Sequence, residues 1–295
     1  GGKNMRNKLY ARTVLWLAAV LAAISLSGCH GEMKAPLSDG NGAAQTAAPS
    51  AEITAEETAA SETPEPRTPE PTESVIPAAF TACSVRTSRF ETFRYWLYTP
   101  SNPAENMPLI VYLHGGSGKG DDLEQITAVD GFPQYLRDGK LGDVRAYVLI
   151  PQLPDTEKGW LNAARAVSEL IETTVSTYAL DRNNVSLTGH SMGGTGTWAL
   201  ACASPELFAR IAPLSGSVRN TADTAEKLKN VPVRAFVGAA DTIVPPDSSE
   251  ETVAALKAAG DDAEITVFTG ADHFSVPSLT FLDESIGLVD WLIRG

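Results

Sequence analysis

From residue 80 onward, short apolar runs rich in β-branched residues alternate with longer stretches of helical periodicity. The runs Thr81–Thr87, Phe90–Tyr98, Leu109–Leu113, Ala146–Ile150, Val185–Thr188, Arg210–Leu214, Val233–Val237 and Ala263–Phe268 read as strands. Helices are predicted over Asp122–Leu136, Ala163–Tyr178, Ser191–Cys202, Ser248–Ala259 and Ser278–Arg294, with Asp247 as the N-cap of the fourth. Strand and helix in alternation imply an α/β domain: a mainly parallel sheet of about eight strands with helices on both faces. The first two strands follow each other through a short turn, which predicts an antiparallel edge.

The pattern before residue 80 is of another kind. Met5-Arg6-Asn7-Lys8 and Arg12 precede an apolar run from Val14 to Ile24, too short to span a bilayer comfortably. This is the layout of a secretory signal, expected over residues 1–28. The stretch Leu26-Ser27-Gly28-Cys29 resembles the lipobox of bacterial lipoproteins. That resemblance implies export, a lipid-modified Cys29 and anchoring to a bacterial membrane at the cell envelope; a plain secreted protein is the alternative. Residues 29–79 are rich in Ala, Thr, Ser, Glu and Pro and have almost no aromatic side chain. They cannot bury enough apolar surface to offset ordering, so a disordered tether is expected there. The remaining segment, 80–295, is expected to form the folded domain that carries whatever chemistry the chain has.

Net charge changes the picture only by exclusion. At −13 the chain is a poor nucleic-acid binder, although the glutamate-rich linker supplies part of that charge. Beyond Cys29 only Cys83 and Cys202 remain, and their spacing does not demand a disulfide. No cysteine or histidine cluster has metal-ligand spacing.

The candidate chemistry centres on Gly189-His190-Ser191-Met192-Gly193, which reads Gly-x-Ser-x-Gly between a predicted strand and a predicted helix. A serine in that context sits on a sharp, strained turn with its hydroxyl exposed, and the flanking glycines leave room for it. A serine nucleophile needs an imidazole base. Of the four histidines, only His273 lies downstream of Ser191, in a loop after a predicted strand. The acid is expected to be Asp241, in the loop after Val233–Val237, where it can accept from the imidazole Nδ1–H. Asp247 and Asp272 are the competitors, but Asp247 already reads as a helix N-cap, and the adjacency of Asp272 to His273 makes an aligned side-chain bond awkward. The oxyanion donors are expected from the amides of Met192 and Gly116, the latter in His114-Gly115-Gly116-Ser117-Gly118 after an apolar strand. His114 and His190 read as structural residues, and Trp198 as core. Trp160 and Phe274 are candidate substrate walls.

Leu113-His114-Gly115-Gly116, Leu187 to Gly194, Gly196-Thr197-Trp198, Gly238 with Asp241, and Asp272-His273 together resemble the α/β-hydrolase superfamily. Within it they are similar to the esterase, feruloyl-esterase and dienelactone-hydrolase-like groups. The resemblance runs from residue 108 to 273 and implies a serine hydrolase of carboxylic esters working through an acyl-enzyme, without a cofactor. It is weak for substrate, because related folds host lipases and peptidases. A prolyl-oligopeptidase-like peptidase and a catalytically silent surface binding protein are the alternatives. Between Leu214 and Val231 there is room only for a short helix-like stretch, Thr224–Lys229, so no large cap domain is expected. An uncapped site suits short-chain or feruloyl-type esters, polysaccharide-linked ones included. The oligomeric state is not legible.

Overall fold

A computed structural model describes residues 77–129 and 131–295. The expected signal, the Cys29 lipidation site and nearly all of the linker lie outside the described residues. Eight strands form one sheet in the order β1-β2-β4-β3-β5-β6-β7-β8. They are β1 Ala79–Val85, β2 Phe93–Thr99, β3 Leu109–Leu113, β4 Tyr147–Pro151, β5 Val185–His190, β6 Arg210–Leu214, β7 Val233–Gly238 and β8 Ala263–Phe268. The pairs β1–β2 and β2–β4 are antiparallel and the rest parallel, so the antiparallel edge is where the sequence placed it.

Period-two alternation explains how one strand serves two cores. In β3, Leu109, Val111 and Leu113 join one hydrophobic cluster, while Ile110 and Tyr112 join the other. The first cluster is closed by α3 (Ala164–Thr177), α4 (Met192–Ala203) and α6 (Asp247–Ala259). The second is closed by α1 (Glu124–Val129), α2 (Gly131–Arg137), α7 (Val276–Phe281) and α8 (Leu288–Ile293). β5 is buried along its whole length even though it alternates apolar with polar residues. Its hydroxyls are satisfied by main-chain acceptors: Ser186 Oγ donates to Leu292 O and Thr188 Oγ1 to Ala212 O, each at 2.5 Å.

Several predicted boundaries move, each for a local reason. The expected helix Asp122–Leu136 is two, α1 and α2, divided before Gly131-Phe132-Pro133; Pro133 has no N–H to give to a carbonyl one turn back and so sits in the first turn of a new helix. The expected helix Ser278–Arg294 is also two. Asp283 Oδ1 captures the amide and hydroxyl of Ser285, and Gly287 then turns the chain at φ 57°. The short helix after β6, α5, runs Thr221–Lys227 rather than Thr224–Lys229, because Asn220 Oδ1 caps it by accepting from the Asp223 amide at 3.2 Å. Asp247 is not the N-cap of α6. Pro246 holds that position and Asp247 is the first helical residue, where its charge suits the helix dipole.

The strand order has one consequence for function. β4 lies on one side of β3 and β5 on the other, so the sheet reverses its winding at β3. The C-terminal ends of β3 and β5 therefore open onto a crevice, the usual ligand position in such sheets.

Candidate active site

At the end of β5 the chain turns through Ser191, whose φ of 60° and ψ of −119° are strained for a side-chain-bearing residue. The turn is fixed by close backbone approach. A Cβ at Gly189 would lie 2.5 Å from the Leu113 carbonyl oxygen, and one at Gly193 would overlap the same carbonyl. The Ser191 amide donates to Leu214 O at 3.0 Å, and Thr195 N–H to Ser191 O makes the first bond of α4. The helix therefore supplies no acceptor for the Met192 amide beside the serine hydroxyl.

His273 and Asp241 converge on that hydroxyl from the β8 and β7 loops. His273 Nε2 is 2.8 Å from Ser191 Oγ, and His273 Nδ1 is 2.7 Å from Asp241 Oδ2. Asp241 Oδ1 is already occupied, accepting the amides of Ile243 at 2.9 Å and Val244 at 2.8 Å. Burial pulls the Asp241 pKa upward, but the Val244 amide and the His273 imidazole outweigh it, and the net direction is down. An ionised Asp241 only accepts, so His273 carries its proton on Nδ1 and presents a bare Nε2 to the serine O–H. Asp272 takes no part. Its carboxylate closes a turn with the amide and hydroxyl of Ser275.

The loop after β3 faces the elbow. Its first helical bond, Gly118 N–H to Gly115 O, supplies no turn acceptor for the Gly116 amide. His114 holds the loop from beneath: Nδ1–H donates to Gly115 O at 2.6 Å, and Nε2 accepts the Leu153 amide at 2.9 Å. The Trp160 indole N–H donates to His114 O at 3.0 Å. Trp160 is only 1% exposed, anchored beneath this loop, and it lines the cleft beside the nucleophile helix, where a wall was expected. Trp198 is core, as its position on the helix suggested, and its N–H reaches Ser249 Oγ. Phe274 is 74% exposed, edge-on to His273 with ring centroids 5.4 Å apart.

A cleft of about 500 Å³ runs beside α4, starting at Met192; Leu161, Thr195, Val218 and Arg219 are among the residues lining it. The β6–α5 segment forms one bank and carries no helix beyond α5. Sequence reasoning missed this bank. It also missed the partner of His190, whose Nε2 lies 2.9 Å from the His273 carbonyl oxygen, 83 residues away. Nothing local in the sequence announces a bond to a distant main-chain carbonyl. Cys83 and Cys202 form no disulfide with each other. Among the described residues no group of three or more His, Cys, Asp or Glu side chains could hold a metal ion.

Sheet order, elbow and the Ser–His–Asp chain define an α/β-hydrolase. Comparison with known proteins narrows this further. The dienelactone hydrolase family profile matches residues 153–280. A protein named "Putative carboxymethylenebutenolidase" from Salmonella typhimurium is 31% identical over 185 residues, 57% of this chain and 67% of the relative. Acetylxylan esterase A of Aspergillus awamori is 28% identical over 131 residues, 41% of each chain. Among solved structures, a thermostable esterase superposes with a TM-score of 0.60 at 25% identity, covering 72% of this chain and 62% of the other. This chain belongs to the dienelactone hydrolase family.

Proposed function

We propose that this protein is a serine carboxylic-ester hydrolase. One observation carries the reading: a strained serine whose hydroxyl lies 2.8 Å from an imidazole that is itself 2.7 Å from a buried carboxylate. Ser191 Oγ attacks the ester carbonyl while His273 Nε2 takes its proton. Asp241 holds the Nδ1–H tautomer and stabilises the imidazolium that forms. The Met192 and Gly116 amides receive the charge on the tetrahedral oxygen. Collapse passes the proton from His273 to the leaving alkoxide, and water then releases the acyl group by the same steps.

The substrate is a short-chain or small aromatic ester, with a bulky alcohol such as a polysaccharide tolerated. In support, the chain between β6 and β7 carries only the short helix α5 and no cap domain, and a relative is named for acetylxylan. Purified protein assayed on acetyl, butyryl, octanoyl and feruloyl esters tests this; fastest turnover of octanoyl esters would overturn the substrate class. Labelling of wild type but not Ser191→Ala by a fluorophosphonate tests the nucleophile. The same reading puts the enzyme at the bacterial envelope through lipidated Cys29, supported by Leu26-Ser27-Gly28-Cys29 behind the apolar run. Membrane partition unchanged in Cys29→Ala would refute the anchor.

A further inference from the structure

His190 is the last residue of β5, immediately before Ser191, and is 7% exposed. Its ring lies against that of His273, with centroids 4.7 Å apart and planes tilted by 40°. The atom facing it across 2.9 Å is the His273 carbonyl oxygen. A carbonyl only accepts, so His190 Nε2 carries a hydrogen and donates.

This bond matters because of where His273 comes from. Its loop follows β8, and two strands, β6 and β7, stand between β8 and the strand that bears Ser191. The other anchors of the loop lead away from β5. Ala271 O accepts from Ala240 N–H on the β7 side, Ala271 N–H donates to Phe268 O within the loop, and Asp272 bonds Ser275. Among the described residues, only His190 ties the main chain of His273 to β5.

We propose that His190 is a positioning residue, whose Nε2–H fixes the His273 backbone at the height where Nε2 of the base meets Ser191 Oγ. The inference rests on His273 being the general base. A carbonyl pulled toward β5 sets the Cα of His273, and with Nδ1 pinned by Asp241 the ring keeps no freedom to swing from the serine. Burial, with the neighbouring His273 adding to it, pushes the His190 pKa down to about 4. A neutral ring beside the base adds no repulsion when His273 becomes imidazolium.

The test uses the full chain and 4-nitrophenyl acetate. His190→Phe retains an aromatic ring and removes the donor, whereas His190→Gln presents an amide N–H close to the Nε2 position. His190→Phe is expected to lower kcat by about 10- to 100-fold, the cost of misplacing a reacting group by an ångström or less. KM should stay within about twofold, because the substrate cleft is not touched, and His190→Gln should regain most of the rate. A positioning residue acts through its partner, so adding His190→Phe to His273→Ala should cost nothing beyond His273→Ala alone. If the phenylalanine variant does not fold, His190→Asn, too short to reach the carbonyl, takes its place in each comparison. The inference is overturned if the donor-less variant keeps kcat within about twofold of wild type. Equal loss in His190→Gln, or further loss in the His273→Ala background, overturns it as well. His273→Ala with wild-type activity would instead remove the general-base reading, and this inference with it.

Discussion

Ser191 stands at the end of a central strand buried on both faces, whereas His273 leaves a half-exposed edge strand through a loop. The serine is placed by backbone packed on backbone: Gly189 and Gly193 against the Leu113 carbonyl, and its own amide on Leu214. The histidine is placed by hydrogen bonds with Asp241, Ser191 and His190. Steric exclusion by the main chain leaves no alternative conformation. A set of side-chain bonds can be removed one at a time, each with a graded cost. The nucleophile side is thus expected to fail abruptly, and the base side by degrees.

The largest effect tests whether the two sides form one machine. Ser191→Ala and His273→Ala should each lower kcat on the order of ten-thousandfold or more without unfolding the protein, as circular dichroism can verify. Asp241→Asn should lose less, and Asp272→Asn almost nothing, since its carboxylate closes its own turn with Ser275 and does not bond the His273 ring. A crippled Asp272→Asn with an active Asp241→Asn would reverse the acid assignment.

Next comes the abrupt failure. Gly193→Ala should destabilise the domain by about 3 kcal/mol or more, because the added methyl overlaps the Leu113 carbonyl and neither backbone can retreat. In a domain of this size that corresponds to a Tm lower by roughly 6 to 12 °C. A melting temperature equal to wild type would show that the elbow is softer than its geometry indicates.

The base side should show a graded pH response. His190 titrates near 4 when folded and near 6.5 when unfolded, so the unfolded chain binds its proton first and stability falls as pH drops through that window. Between pH 7 and pH 5 this amounts to about 2 kcal/mol. The lowered pKa of Asp241 acts elsewhere: its contribution is complete above the ordinary carboxylate range and is lost as pH falls through and below it. Melting curves at pH 7 and pH 5 should therefore converge in His190→Gln relative to wild type. An undiminished gap would assign the slope to other groups.

The smallest effect is at the rim. Phe274 is mostly exposed and its ring meets His273 edge-on, so Phe274→Ala should raise KM for aromatic esters by a few-fold at most, with kcat unchanged. Loss of kcat instead would mean that the ring braces His273.

What the sequence determined by itself is everything carried by local steric and periodic rules. Apolar runs marked the strands because a buried strand has little choice of residue, and Gly-x-Ser-x-Gly marked the elbow because only glycine fits there. Chain order then singled out His273, and the loop after a buried strand pointed to Asp241. Boundaries shifted where a short side chain competed with the helix backbone, as at Asn220 and Asp283. Tertiary structure alone decided the rest. It buried Trp160 under the loop after β3, opened the cleft between α4 and the β6–α5 segment, and set His190 beneath the carbonyl of His273. These depend on which distant segments meet, and a hydrogen bond to a main-chain carbonyl leaves no trace in the identity of the residue that accepts it.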